Sequence, residues 1–389
     1  MPRHSHPQRS TSVYNQDSLG HGCLLLPSIH GTAKATVAPR LSVHRRQTQP
    51  FPDCLTEGMP SGQSMLNIGK LLWERDPQEE LMRRIWILFT TFSLVLGCGE
   101  PSGTESTAFD VKVMTYNVLC SFCPGLGADQ HDPWAERAPL LRDLFAEYDL
   151  DLIGVQELTY TAPGANYSDE VRDLTGDTYG AIYYENAQLM DYPDATLLYR
   201  ASRFAEHDRG FFWLSSTPDV PLSADFDPDG QLARLVTWAE LEDLDSGEHF
   251  IFVTTHFDNN SPSQTLSAPL FLSRMKPLAD RLPLIITGDF NSNLSTEAYS
   301  ILTGSESPKL RNSSDLVPDG PRAIGPESDQ NNYNWNGRID HIFLSGQATY
   351  EVSDWFVDLR RSGANDLHLS DHHAMAAQIR VEPTAALAP

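Results

Sequence analysis

From Phe109 onward, short apolar runs rich in β-branched residues alternate with polar turns, and this alternation restricts the possible fold more than any other feature. Such runs predict strands, whereas apolar residues at helical spacing predict a helix only at intervals between them. The predicted strands are 111–117, 152–156, 180–184, 196–199, 235–242, 250–256, 284–289, 338–344 and 374–379, and the predicted helices are 134–148 and 264–281. Neighbouring antiparallel strands with few helices favour two packed sheets with outer helices, an α+β architecture, over a regular βαβ repeat. Residues 306–334 are rich in Pro, Gly, Asn and Ser, and they predict a long loop.

The front of the chain has a different composition from the rest. Residues 1–81 show no sustained apolar period and are rich in Ser, Pro, Gln, His and Arg, which predicts disorder. Residues 82–97 begin with a basic stretch, continue with an apolar run and end in Gly97. That order is typical of a secretory signal, and the apolar run is shorter than the roughly 20 residues of a membrane span.

Cys98 follows Gly97, and this ending resembles a bacterial lipobox, in which the cysteine is acylated and becomes the mature N-terminus. The alternative is a buried core helix that carries a cysteine by chance. A signal that begins at Met82 predicts that translation starts there and that residues 1–81 reflect an over-extended start. We therefore expect a linker over 98–108, one domain over 109–382 and a tail over 383–389. The protein would be exported and attached to a membrane through Cys98.

Charge is unevenly distributed along the chain. The formal net charge is −24, and residues 98–389 carry 45 Asp and Glu against 18 Lys and Arg. An acidic domain repels polyanions at long range, which argues against broad, non-specific binding of nucleic acid. A nuclease is not excluded, because a bound divalent cation reverses the local field. Cys120 and Cys123 could form a disulfide in an oxidising compartment or remain two partly buried thiols.

Polar side chains recur where predicted strands end, and they fall in six segments. These segments are Thr115-Tyr116-Asn117, Gln156-Glu157, Thr255-His256, Gly288-Asp289-Phe290-Asn291, Arg338-Ile339-Asp340-His341 and Ser370-Asp371-His372. Taken singly, each has an ordinary explanation, such as a solvated carboxylate or a turn. Together they place carboxylates, amides and imidazoles at one rim of the predicted sheets.

Such a set suits hydrolysis of a phosphate ester, a reaction that needs several effects in combination. We expect Glu157 to bind a hard divalent cation, with Asp371 as a second ligand and Asn117 holding the Glu157 side of the metal site. Asp289 would deprotonate the attacking water. The remaining predicted roles are charge stabilisation by Asn291, His256 and His372, orientation of His372 by Asp340, and a phosphate contact or a structural ion pair for Arg234.

These segments, in this order, resemble the endonuclease/exonuclease/phosphatase superfamily, which includes deoxyribonucleases, inositol-polyphosphate phosphatases, bacterial sphingomyelinases and the nocturnin/deadenylase group. The resemblance runs from about residue 111 to 379. It implies a four-layer α/β/β/α sandwich and a requirement for Mg²⁺ or Mn²⁺. His341 departs from the usual tyrosine, and His373 with Ala374 departs from the commoner ending. Other details, such as Trp134 with Arg137, resemble secreted bacterial members near the nocturnin branch.

Two functional classes follow from this resemblance. The first is a monomeric metal-dependent phosphoesterase acting on nucleic acid, a phosphorylated small molecule or, alternatively, a phospholipid headgroup. The second is a non-catalytic binding lipoprotein that keeps the fold without turnover. The joint presence of Glu157, Asp289, Asn291, Asp340 and His372 favours the enzyme, because a copy without turnover has no physical reason to keep buried charges.

Overall fold

The computed structural model describes residues 107–123, 131–159, 168–230 and 232–384. The segments predicted as disordered (1–81) and as a signal (82–97), the lipid-bearing Cys98, most of the linker and residues 385–389 of the tail lie outside the described residues. Within the described ranges, no helix is both long enough and apolar enough to cross a bilayer.

Thirteen strands and five α-helices make up the described part of the chain. The strands are β1 (Phe109–Asn117), β2 (Leu152–Gln156), β3 (Tyr179–Tyr184), β4 (Tyr192–Arg200), β5 (Phe204–Trp213), β6 (Leu235–Asp243), β7 (Glu248–His256), β8 (Pro283–Asp289), β9 (Arg311–Asn312), β10 (Arg322–Ile324), β11 (Asp340–Gly346), β12 (Ala348–Asp358) and β13 (Ala374–Pro383). The helices are α1 (Trp134–Glu147), α2 (Ser168–Thr175), α3 (Ser261–Ala279), α4 (Glu297–Leu302) and α5 (Glu327–Asn332). Two short 3₁₀ turns, Ser313–Asp315 and Trp335–Gly337, complete the set.

The strands form two mixed sheets. Sheet A has the order β10-β12-β13-β1-β2-β4-β3, and sheet B has the order β5-β6-β7-β8-β11-β9. Most neighbours are antiparallel, and the parallel pairs are β1 with β2, β7 with β8, and β10 with β12. The last strand, β13, lies between β12 and β1 in the middle of sheet A. The predicted pair of mainly antiparallel sheets is confirmed.

Apolar side chains fill three interfaces and give the fold four layers. Val113 and Leu152 of sheet A meet Phe252 and Ile285 of sheet B in the central core. The outer face of sheet B packs against α3 and α4, and the outer face of sheet A packs against α1 and α2. This arrangement is the α/β/β/α sandwich expected from the sequence, since each sheet buries one face against the other sheet and one against helices.

A polar layer joins the two sheets beneath the rim where β2 ends. Gln156 is fully buried, and its amide nitrogen Nε2 donates to the hydroxyl oxygen of Thr254 in sheet B at 2.9 Å. At Gly154 the sheets approach so closely that an added Cβ would lie 1.9 Å from the hydroxyl oxygen of Thr287. Glycine is therefore required at this position, and the contacts fix the alignment of the two sheets below the rim.

Several predicted elements need correction. Strands β5 and β12, the helix α2 and the short strands β9 and β10 were not predicted. The segment 306–334 is not a featureless loop, because it contains β9, β10, α5 and a 3₁₀ turn. Helix α3 begins at Ser261, earlier than predicted, because the side chain of Asn260 caps it by accepting a hydrogen bond from the backbone N–H of Ser263 at 2.9 Å.

Candidate active site

The strand register brings the six polar segments to one edge of the sandwich. In sheet A, Asn117 is opposite Gln156 at the ends of the parallel strands β1 and β2. In sheet B, His256 is opposite Asp289 at the ends of β7 and β8, and Asp340 at the start of antiparallel β11 is opposite Asp289. The segment containing His372 enters β13, whose start pairs with the end of β1. The six segments therefore share one rim, and each sheet contributes three of them.

Asn117 connects the two sheets at this rim. Its amide nitrogen Nδ2 donates to Glu157 Oε1 at 2.9 Å and to Asp289 Oδ2 at 3.1 Å. Its carbonyl oxygen Oδ1 accepts from the backbone N–H of Leu119 at 3.1 Å. Asn117 thus presents its amide donor to both carboxylates and holds the Glu157 side of the rim.

Glu157 is held in a strained backbone conformation. Its φ is 67°, in the left-handed region that glutamate rarely adopts. Its Oε2 accepts from the backbone N–H of Cys120 at 3.3 Å, and Cys120 is joined to Cys123 by a disulfide. The carboxylate is only partly buried, so it stays accessible to a cation. Such strain persists where the surrounding structure fixes a functional side chain.

Asp289 lies at the centre of the rim and is 1% exposed. Its Oδ1 accepts from the backbone N–H of Asn291 at 2.8 Å, and its Oδ2 is 3.4 Å from His256 Nε2 and 3.6 Å from His372 Nε2. Burial alone would raise the pKa of Asp289, but the two histidines and the hydrogen bonds from Asn291 and Asn117 lower it below its usual value. Asp289 is therefore an ionised carboxylate at neutral pH.

His372 is paired with Asp340. Its Nδ1 donates to Asp340 Oδ2 at 2.8 Å, which leaves Nε2 directed towards Asp289 and within 3.5 Å of the Asn117 amide. Burial alone would lower the pKa of His372, but Asp340 and Asp289 together raise it well above its usual value. Burial raises the pKa of Asp340 to about 6, and His372 opposes that increase. The raised pKa of His372 and its hydrogen bond to Asp340 favour an imidazolium held by a carboxylate at neutral pH.

His256 has a matching arrangement on the other side of Asp289. Its Nδ1 donates to Asp194 Oδ1 at 2.9 Å, and the Arg234 nitrogen Nη1 lies 2.9 Å and 3.0 Å from its two ring nitrogens. Burial and Arg234 would lower the pKa of His256, but Asp194 and Asp289 raise it. Arg234 also forms an ion pair with Asp194 at 3.9 Å. It therefore has a structural partner, and through its contact with His256 it also lies beside the site.

The side chains of two other predicted site residues, Asn291 and Asp371, make their hydrogen bonds outside the group around Asp289. The side-chain amide of Asn291 donates to the backbone carbonyl of Phe257 at 3.0 Å, and its φ is 48°. Asp371 is exposed, and its Oδ1 accepts from Ser370 Oγ at 3.3 Å. Asp371 therefore lies at the solvent-exposed margin of the site.

Asp194 is the functional residue that the sequence did not reveal. It lies in β4, which runs antiparallel to β2, and its backbone carbonyl accepts from the N–H of Glu157 at 3.1 Å. Its side chain is the partner of His256. The available signal was an acidic residue just before the predicted strand 196–199.

A cavity of about 480 Å³ opens beside His372. Its walls include Tyr333, Arg338, Arg361 and His373 as well as Asp340 and Asp371. Arg338 is buried, and its guanidinium donates to Ser314 Oγ at 2.6 Å and lies over the ring of Trp355. Its Nε has no hydrogen-bond partner among the described residues. The cavity therefore combines a buried positive charge with aromatic walls next to the candidate catalytic groups.

The donor set at the rim fits a hard divalent cation. Glu157 offers partly exposed carboxylate oxygens, while Asp340 Oδ1 and Asp194 Oδ2 are buried without a hydrogen-bond partner among the described residues. Oxygen-rich sites of this kind bind Mg²⁺ or Mn²⁺ in preference to softer metals. Asp289, Asp340 and His372 also have ligand atoms within 4.8 Å of one another, although both Asp340 and His372 are used in their mutual hydrogen bond.

His341 occupies a structural position next to Asp340. It is fully enclosed, its Nε2 donates to the backbone carbonyl of Ser292 at 2.8 Å, and its Nδ1 accepts from the Asn312 amide at 3.2 Å. Burial lowers the pKa of His341 to about 4. The ring is thus a neutral hydrogen-bonding group that orders the chain behind Asp340.

Acidification from about pH 7.5 to about pH 5 is expected to remove on the order of 2 kcal/mol of stability through His341. The unfolded-state pKa of histidine is about 6.5 and the folded value is about 4, so the unfolded chain takes up the proton first. Stability is complete above about pH 6.5 and is lost as the pH falls towards 4. Urea unfolding of wild type and His341→Gln at both pH values measures this effect. An identical pH dependence in the two proteins would contradict it.

The chain is similar to several known proteins. The model of the Endonuclease/Exonuclease/phosphatase family matches residues 114–372. A mannosyl-6-phosphatase from Bacteroides thetaiotaomicron is 26% identical, with a TM-score of 0.56 over 69% of this chain and 99% of that one. The human nocturnin catalytic domain, solved with a sulfate anion, is 19% identical, with a TM-score of 0.50 over 72% and 100%. An uncharacterised protein of Acanthamoeba polyphaga mimivirus is 23% identical over 62% of this chain and 90% of that one.

Proposed function

The chain belongs to the endonuclease/exonuclease/phosphatase family, and from that premise we propose that it is a divalent-metal-dependent hydrolase of phosphate esters or phosphodiesters. One observation carries the proposal. The acidic Glu157 and Asp289 and the cationic His372 come from separate strands of two sheets and meet around the Asn117 amide. A scaffold needs no such concentration of buried charge, whereas phosphoryl transfer does.

Glu157 is the residue that would hold the metal ion, with Asp371 as a second ligand on the solvent side. The bound ion would screen the phosphate charge and stabilise the leaving oxygen. Asn117 keeps the Glu157 carboxylate in position from one side, and the Cys120 backbone N–H keeps it from the other. Both contacts leave lone pairs on the carboxylate for the cation.

Asp289 is the proposed general base. Because its pKa is lowered, it is ionised at neutral pH and can accept a proton from a water molecule aligned for in-line attack. The hydrogen bond from Asn291 fixes the carboxylate plane. Asn117 holds the other oxygen, so the base has little freedom to turn away from the attacking water.

His372 and His256 are the proposed donors to the phosphoryl oxygens. Each imidazole has a carboxylate on Nδ1, which fixes the ring and leaves Nε2 on the side of Asp289. Preorganised cationic donors of this kind stabilise the charge that develops in the transition state. Arg234 adds a further positive charge beside His256.

We propose that the substrate is a compact phosphorylated molecule. The net charge of −24 disfavours a long polyanion at long range, while the cavity of about 480 Å³ beside His372 suits a small group. The likeness to a mannosyl-6-phosphatase supports this choice. Arg338 and Tyr333 in the cavity walls could contact the part of the substrate that carries the phosphate.

We also propose that the protein acts outside the cytoplasm, anchored through Cys98. The signal-like segment 82–97 motivates this part of the proposal, and the Cys120–Cys123 disulfide suits an oxidising compartment. Membrane fractionation should find the wild type in the membrane and a Cys98→Ser variant released from it. An unchanged distribution of the variant would refute the anchor.

A substrate panel tests the catalytic proposal. Purified protein should hydrolyse bis-p-nitrophenyl phosphate, sugar phosphates, nucleotides or inositol phosphates with Mg²⁺ or Mn²⁺, and a chelator should abolish the activity. DNA, RNA and sphingomyelin complete the panel. We expect the highest kcat/KM on a small phosphate ester. Metal-independent rates, or no turnover on any ester, would overturn the assignment and favour a binding protein.

A further inference from the structure

A cluster of two histidines and a glutamate lies on sheet B, on strands β5, β6 and β7, outside the candidate active site. Glu242 of β6 is directly opposite His249 of β7, so both side chains project from the same face. His207 lies in β5 at a register shift between Glu206 and Asp208. A β-bulge of this kind redirects one side chain, and here it brings His207 to Glu242.

The three side chains are in contact. His207 Nε2 is 2.5 Å from Glu242 Oε2, and the rings of His207 and His249 have their centroids 4.5 Å apart. One ligand atom from each residue lies within 4.8 Å of the other two. Tetrahedral zinc places its nitrogen and oxygen ligands about 3.3 Å from one another. Small side-chain rotations would therefore bring these atoms to binding distance.

Glu240 adds the supporting contact that metal-binding histidines usually have. Its Oε1 accepts from His249 Nδ1 at 3.0 Å, and its Oε2 is 3.4 Å from Arg281. A carboxylate on one ring nitrogen fixes the tautomer and leaves the other nitrogen with its lone pair available. The Nε2 atom of His249 is therefore available to bind a metal ion. The guanidinium group of Arg281 in turn holds the Glu240 carboxylate in place.

We propose that His207, Glu242 and His249 form a second metal site, which binds a divalent transition metal such as Zn²⁺. Two imidazoles and one carboxylate are typical zinc ligands, whereas Mg²⁺ prefers oxygen ligands alone. The side chains of His207 and His249 are 42% and 34% exposed, so solvent can occupy the fourth position. The acidic surface of the domain raises the local concentration of cations.

Binding at this site would join three neighbouring strands. β5 is the edge strand of sheet B, and one ion would connect it to β6 and β7 at the position of its bulge. A ligand that binds only the folded state stabilises that state. Zinc is therefore expected to strengthen the attachment of the edge strand, with no requirement for any change at Asp289 or His372.

Zinc content tests the proposal directly. The full chain is stripped with a chelator, returned to excess Mg²⁺ to occupy the oxygen-rich active site, incubated with Zn²⁺ and freed of unbound metal by gel filtration. We expect the wild type to retain one zinc equivalent per chain more than the double variant His207→Ala/His249→Ala, which keeps every other histidine. A His131→Ala variant serves as the matched control and should retain as much zinc as the wild type. Equal zinc in wild type and double variant would overturn the proposal.

Thermal unfolding gives an independent readout. Saturating Zn²⁺ should raise the unfolding midpoint of the wild type by at least about 3 °C and leave the double variant unchanged. A Glu242→Gln variant keeps the size of the side chain and should weaken zinc binding by at least about tenfold. If Glu242→Gln binds zinc as tightly as the wild type, Glu242 is not a ligand and the site as proposed is wrong. Hydrolysis with Mg²⁺ should be the same in all these variants, which separates this test from that of the catalytic proposal.

Discussion

Replacing His372 with alanine is expected to lower kcat by about 10³-fold, because the change removes a cationic donor that contributes mainly in the transition state. The fold should survive, since His372 lies at the rim and contributes to none of the apolar clusters. Steady-state kinetics on the best substrate of the panel measure the effect, and circular dichroism checks the fold.

The neighbouring His373 provides the matched control. Burial and the adjacent histidines lower the pKa of His373 to about 4, and its ring packs against Tyr333 and His368. His373→Ala is therefore expected to change KM more than kcat, because the ring lines the cavity and is neutral. If His372→Ala keeps the wild-type rate while His373→Ala loses it, the roles assigned to the two histidines are reversed.

Replacing Glu157 with glutamine is expected to raise the Mg²⁺ concentration needed for half-maximal activity by at least about 100-fold and to reduce kcat/KM in proportion. Glutamine keeps the size of the side chain but removes the charge that the cation needs. The comparison with Asp371→Asn ranks the two proposed ligands. We expect Asp371→Asn to raise the Mg²⁺ concentration for half-maximal activity less than Glu157→Gln does, because Asp371 is exposed.

Titration of the rate with Mg²⁺ and calorimetry of Mg²⁺ binding measure this prediction by two independent routes. Glu157 also has strained backbone geometry, so the thermal midpoint of Glu157→Gln needs to be recorded beside the wild type. Wild-type metal dependence in a folded Glu157→Gln variant would show that another carboxylate holds the cation.

The position of the candidate site could be predicted because the sequence shows where strands end. Asn117, Glu157, His256 and Asp289 each end an apolar run, and in a sheet parallel strands end at the same edge. The register then places antiparallel β11 and β13 so that Asp340 and His372 enter at that edge. The predicted fold class followed from the same alternation of short strands.

The two long strands that were not predicted, β5 and β12, each contain a β-bulge. In β12 the register shifts between Val352 and Asp354, and in β5 it shifts between Glu206 and Asp208. A bulge moves later side chains to the opposite face, which interrupts the alternation that identifies a strand. The middle of β5 is also exposed and charged, as an edge strand allows.

The role of Asp194 could not be predicted because its partner is distant in sequence. Asp194 and His256 are 62 residues apart and come from different sheets. The sequence also left open whether Cys120 and Cys123 form a disulfide, because this depends on the local backbone geometry. In the structure their Cα atoms are 5.1 Å apart, and the two cysteines are joined. The short strands β9 and β10 form through pairing with β11 and β12 and have little preference of their own.

The central position of β13 in sheet A has a consequence for when activity can appear during synthesis. Until the ribosome has released the residues of β13, β1 has no partner on that side, and His372 has no fixed place beside Asp289. A nascent or C-terminally truncated chain would thus have Glu157 and Asp289 but lack the imidazole that completes the set. Under the proposed function, the site is complete only once β13 has formed, so we expect a chain that lacks β13 to be inactive.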